Sequence, residues 1–95
     1  MNRSYELLYV LKPDLGEEGL AAMDERIQGI INANGEVSEV DVWGTRKLAY
    51  EIQDYKEGYY VVVEFASEPS FPQELERQLR INDSVLRYLI SSLEE

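Results

Sequence analysis

The sequence predicts an α+β sandwich, one four-stranded sheet covered on one face by two helices. Three observations lead there: a βαββαβ order of hydrophobic patterns, two helical segments with one apolar stripe each, and a length that allows a single core. At 95 residues the chain buries only about two-thirds of its unfolded surface, enough for one domain spanning residues 1–95 and no second.

Tyr5 to Leu11 is rich in strand formers, and Pro13 stops it because proline cannot donate to a ladder. Asp14 and Glu17 stand at capping-box spacing and predict a helix start. Leu20, Met23, Ile27, Ile30 and Ile31 then recur every three or four residues, with Glu17, Glu18, Asp24 and Glu25 on the water face. Asn34-Gly35 should end the helix, the glycine taking a left-handed conformation.

From Val37 to Ile52 apolar residues alternate with charged ones, predicting a long strand bent at Gly44. Asp54 to Gly58 supplies the reversal, and Tyr59 to Phe65 returns as the partner of a hairpin. Ser70-Phe-Pro-Gln73 opens a second helix with Phe71, Leu75 and Leu79 inward, and Val85 to Ser91 forms the last strand. Two single-striped helices are both satisfied on one face of the sheet, which is the ferredoxin-like arrangement. Right-handed crossovers then put the first and third strands at the centre as a parallel pair, with the second and fourth on the edges.

Alternation assigns Leu7, Tyr9, Leu11, Val40, Val42, Leu48, Tyr50, Val61, Val63, Phe65, Tyr88 and Ile90 to the helix side. The opposite face carries Leu8, Val10, Tyr60, Val62, Val85 and Leu89 among Glu6, Lys47, Glu64 and Arg87. A mostly apolar stripe of this size suits a protein partner, with Trp43 as an anchor beside it. The isolated protein is therefore expected to bind a hydrophobic dye or to self-associate weakly.

Composition removes most chemistry. There is no cysteine and no histidine, so no thiol nucleophile, disulfide, structural zinc site or imidazole acid/base exists. No catalytic residue, metal ligand or cofactor is expected. Acylphosphatases need an arginine-bearing phosphate loop after the first strand, where this chain has Leu11-Lys-Pro-Asp-Leu-Gly16. RNA-recognition motifs stack bases on paired aromatics, whereas Leu8 and Val10 occupy the first strand here. The longest apolar run, Tyr59 to Val63, is far below bilayer length and Glu6 follows Met1 too closely for a signal peptide, so a cytoplasmic protein is expected.

The formal charge is −10, which repels nucleic acid on average. Its distribution is uneven: residues 1–41 hold nine acids and three bases, whereas residues 42–95 hold ten acids and six bases, including Arg46-Lys47 and Arg77/Arg80. A few arginines can still contact folded RNA through phosphates without reading bases.

The segment Trp43-Gly-Thr-Arg-Lys-Leu-Ala-Tyr-Glu-Ile52 resembles the signature of the bacterial small-subunit ribosomal protein six family. Tyr5-Glu6, Leu11-Lys-Pro13, Gly58-Tyr59-Tyr60, Glu74-Leu75, Leu79-Arg80 and Val85-Leu86-Arg87 match the family in the same order, so the resemblance covers essentially the whole chain. It implies a structural constituent of the small ribosomal subunit, a ribonucleoprotein component of translation. Such a protein binds 16S ribosomal RNA of the central domain, or platform, cooperatively with small-subunit ribosomal protein eighteen. By matching positions, the resemblance assigns RNA contact to Arg3, Arg46, Lys47, Arg80 and Arg87. Asn82 and Leu86 stand where many relatives carry further basic residues. The alternative reading is a non-ribosomal ferredoxin-like module that uses the open face for regulation or for binding a copy of itself.

Overall fold

The computed structural model describes residues 2–93. Strand β1 (Arg3–Leu11) leads through a 3₁₀ turn (Pro13–Leu15) into helix α1 (Gly16–Asn34). Strand β2 (Gly35–Ile52) and strand β3 (Tyr55–Ser67) form the hairpin, followed by helix α2 (Phe71–Arg80) and strand β4 (Val85–Ser92). The sheet order is β2-β3-β1-β4, with β1 and β3 central as the crossovers require.

The expected parallel central pair is corrected: β1 runs antiparallel to β3 and to β4, and β2 runs antiparallel to β3. The α1 crossover does return β2 in the direction of β1, but the hairpin then reverses the chain and inserts β3 between them. The parallel relation survives between β1 and β2, which are not neighbours.

The core lies between the sheet and the helices. Leu7, Tyr9 and Leu11 of β1, Val61, Val63 and Phe65 of β3, Ile27 and Ile31 of α1, and Phe71, Leu75 and Leu79 of α2 are buried there. Phe65 stacks on Tyr5 at 5.6 Å between centroids and meets Phe71 edge-on at 6.1 Å. Asp24, expected in water, is half-buried and accepts a hydrogen bond from the Tyr9 hydroxyl, because the tyrosine spans the core and its polar end must find a partner at the helix.

Local chemistry differs from expectation at several ends. Asp14 makes no cap; the 3₁₀ turn intervenes, Leu15 takes the cap position, and the Asp14 carboxylate accepts instead from the Tyr55 hydroxyl at 2.7 Å. Ser70 likewise makes no side-chain cap for α2. Gly35 is extended (φ −172°), not left-handed. It is required for space, since a Cβ there would stand 2.2 Å from the Ala66 carbonyl oxygen. The hairpin reverses at Gln53-Asp54, both at positive φ, with Ile52 opposite Tyr55, so the turn is tighter and earlier than the Asp54–Gly58 segment.

The long β2 overhangs the helix layer. Val40, Val42 and Tyr50 were expected under the helices, yet they are exposed, Val42 at 48% and Tyr50 at 64%. The helix layer covers β2 only at its start, around Val37, and leaves its later residues uncovered. Gly44, at φ 80° beside a register shift between Val42 and Gly44, provides the expected bend.

Candidate functional site

The helix-free face of the sheet is organised in three rows that cross all four strands. Register places Ser91, Glu6, Glu64 and Glu39 in the first row, then Leu89, Leu8, Val62 and Asp41, then Arg87, Val10, Tyr60 and Gly44. Along the strands the face therefore runs from acidic through apolar to aromatic and basic.

In the apolar row Leu8 and Val62 are half-buried, and Leu89 is 53% exposed on the β4 edge. Val10 must be removed from the exposed set: it is fully buried, outside the main core. A Cβ on Gly58 would stand 2.3 Å from Val10 Cγ1 and 3.3 Å from Leu48 Cδ2, so the hairpin backbone closes over Val10 with Leu48 beside it. Leu48 thus packs in this small satellite cluster, separate from the core under the helices. Val85, also expected on this face, belongs to the main core. The register of β1 against β4 shifts between Val10 and Leu11, which changes the alternation and turns Val85 inward.

Trp43 and Tyr60 stack at 6.0 Å between centroids with their rings 14° apart, and the Arg46 guanidinium lies 5.1 Å from the Trp43 ring. The Trp43 indole N–H donates to Asp41 Oδ2 at 3.0 Å. Trp43 remains 42% exposed, so the stack is a platform open to solvent. Arg87 lies on β4 in the same row as Tyr60, three strand spacings from Gly44, about 14 Å.

The fold gathers bases that are dispersed in sequence. At the end of the sheet where β1 exits and β4 begins stand Arg46, Lys47 and Arg87, and Arg80 joins them from the helix layer at the last turn of α2. Arg80 lies 3.8 Å from Glu76. Arg3 is apart, opposite Ser67 at the far end of β1. Sequence reasoning missed Lys12 and Lys56 at this basic end. Lys12 follows β1 directly, its backbone N–H bonded to the Ser84 carbonyl at 3.0 Å and its ammonium 6.0 Å from the Tyr55 ring. The signal available was topological: strand ends and the hairpin meet at one end of a sheet in this order.

At the acidic end, Glu64 titrates above the ordinary glutamate value, first because it shares a hydrogen bond with Glu39, then through partial desolvation and the charges of Glu39 and Glu6. No group of three or more candidate metal-ligating side chains occurs among the described residues.

Comparison with known proteins places this architecture. A family model described as Ribosomal protein S6 matches residues 4–92. The small ribosomal subunit protein bS6 of Moorella thermoacetica is 50% identical over 98% of this chain and 96% of its own length. That of Clostridium acetobutylicum is 51% identical, with both chains covered in full. The crystal structure of 30S ribosomal protein S6 from Thermotoga maritima superposes with a TM-score of 0.91 at 32% identity, covering 97% of this chain and 88% of that one. The chain belongs to the ribosomal protein S6 family, and is a structural protein of the bacterial small ribosomal subunit in the cytoplasm, not an enzyme.

Proposed function

We propose that the chain binds 16S ribosomal RNA of the central domain together with small-subunit ribosomal protein eighteen, the RNA at the basic end of the sheet and the protein across its open face. The observation that carries this reading is that Arg46 and Lys47 on β2 and Arg87 on β4 stand at the same end of the sheet, next to an apolar row, on a body whose net charge is −10. Such a body binds a polyanion weakly by itself. A basic partner that covers the apolar and acidic surface removes repulsion, adds phosphate contacts and raises the effective concentration of both binding surfaces.

Arg46 and Arg87 are the principal phosphate contacts in this reading, with Lys47 and Arg80 flanking them. Arg3, at the opposite end of β1, contacts a separate part of the RNA. The partner surface is Leu8, Val62, Leu89 and the Trp43–Tyr60 stack. Val10 supports that surface from beneath and does not touch the partner. We read the strand order, with β1 and β3 central, as ferredoxin-like, an order that sets basic end and open face side by side.

The test is a filter-binding titration of a central-domain RNA fragment with this protein, with the partner, and with both. Tight binding is expected when both are present, falling as salt rises. Arg46→Glu with Arg87→Glu should weaken joint binding about tenfold to a hundredfold at unchanged thermal midpoint. Equal affinity for the double variant rejects the RNA assignments. Self-association that persists or strengthens at high salt, with no RNA binding, favours an oligomerisation module.

A further inference from the structure

The first row of the open face carries three carboxylates, which no salt bridge pairs with a cation among the described residues. Glu6 comes from β1, Glu39 and neighbouring Asp41 from β2, Glu64 from β3, and β4 contributes Ser91. Among the described residues the salt bridges are Arg77–Glu74 and Arg80–Glu76, both on α2 and behind the sheet. These acids border a depression of about 240 Å³ with Leu8 and Val62 as its floor and Trp43 at its margin. Apolar floor and anionic rim together match a long cationic side chain, whose methylene stem lies on the aliphatic residues while its head meets the carboxylates.

Resting on the function proposed above, we infer that this depression receives one arginine or lysine of the protein partner and so fixes the direction in which the partner crosses the sheet. The partner's cation sits at Glu6, Glu39 and Glu64, its apolar residues follow on Leu8, Val62 and Leu89, and the Arg46/Arg87 end stays open to phosphate. RNA does not fit the depression, whose four carboxylates repel it. A second copy is disfavoured because it adds another ten negative charges.

The same geometry couples docking to protons. Glu64 faces Glu6, Glu39, Asp41 and Ser91, all acidic or neutral, and its ionised form is disfavoured until a cation arrives. A docked cation favours the ionised carboxylate, so affinity declines as pH falls toward the glutamate range.

Calorimetric titration of the purified partner into wild-type protein and into the Glu39→Gln/Glu64→Gln variant provides the test. The variant should bind about tenfold more weakly at neutral pH, and Glu39→Lys/Glu64→Lys about a hundredfold. The carboxamide variant's thermal midpoint should stay level or rise, because like-charge repulsion is relieved, so weaker binding is not explained by unfolding. Wild-type affinity should fall as pH is lowered into the glutamate range, and should begin to fall at a higher pH than an ordinary glutamate would give, whereas the variant's should not. If wild type binds the partner and the carboxamide variant binds equally well, the inference fails while the proposed function stands. If wild type forms neither the protein pair nor the joint RNA complex, both fail. Loss of partner-free RNA binding in the variant, or sedimentation showing that the row holds two copies together, would assign the depression to a different occupant and overturn it.

Discussion

Trp43 and Tyr60 lie ring over ring across the β2–β3 hairpin, 14° from parallel, with Arg46 set above the tryptophan. This clamp joins the apolar row to the basic end, and it contains the single tryptophan of the chain. Its fluorescence should therefore report docking: adding partner and RNA together should shift its intensity and emission maximum, with a smaller response to RNA alone. Trp43→Ala should weaken partner binding by about 1–2 kcal/mol, in the range of an aromatic interface anchor, with little loss of fold stability because the ring is 42% exposed. An unchanged spectrum on complex formation would place the interface elsewhere.

Two glycines make opposite predictions. Gly58→Ala puts a methyl 2.3 Å from Val10 Cγ1, so the hairpin must lift from β1, at about 1–3 kcal/mol in urea denaturation. Gly29→Ala, inside α1 with nothing within 4 Å of the added carbon, should stabilise by about 0.5–1 kcal/mol. The Gly58 variant should also bind partner less well, since the Val10–Leu48 cluster supports the face.

Tyr9→Phe leaves the half-buried Asp24 carboxylate without its donor and should cost about 1–2 kcal/mol. In alkali the difference should narrow. Burial, and then Asp24, raise the Tyr9 pKa above its ordinary value of 10.0. The unfolded chain therefore ionises this phenol first, and wild-type stability declines as pH rises through that value. The phenylalanine variant lacks this term, so parallel denaturation curves from pH 8 to pH 11 check the sign.

At the surface, the Arg77 guanidinium holds Glu74 at about 2, with a contact of 2.6 Å between Nη2 and Oε2 and a second hydrogen bond of 3.0 Å from Nε. A carbon-detected NMR titration should find that midpoint and see it rise toward the ordinary 4.5 in Arg77→Ala. Because the folded value is depressed, the pair contributes stability above pH 4.5 and loses it as pH falls toward 2.

Periodicity carried the core: the stripes Ile27/Ile31 and Phe71/Leu75/Leu79, and Leu7/Tyr9/Leu11 against Val61/Val63/Phe65, were all legible because burial acts on side chains at a fixed spacing. What periodicity cannot express is how far a layer extends. Val42 and Tyr50 have the same alternation as Val61, yet they stand beyond the helices. Nor does it register backbone proximity: Val10 looks like an outward strand residue until Gly58 is known to lie on it. Asp14 and Gly35 are read wrongly for a related reason, since their partners, Tyr55 and the Ala66 carbonyl, are remote in sequence. Of the candidate surface, Arg46, Arg87, Leu8 and Val62 could be named one by one from the sequence. The acidic-to-basic gradient that orders them emerges only when four strands are set in register.

The sheet order also bears on how the protein is made. Of the four strands of this sheet β1 is made first, and its two neighbours are β3 and β4, the second of which is the last of the four to be made. Until β4 emerges, a nascent chain keeps one edge of its innermost strand unpaired, with Leu8 and Leu7 exposed along it. Native closure of the sheet is thus delayed until the fourth of these strands has emerged, and a chain cut before Val85 is the form in which edge-to-edge aggregation should appear.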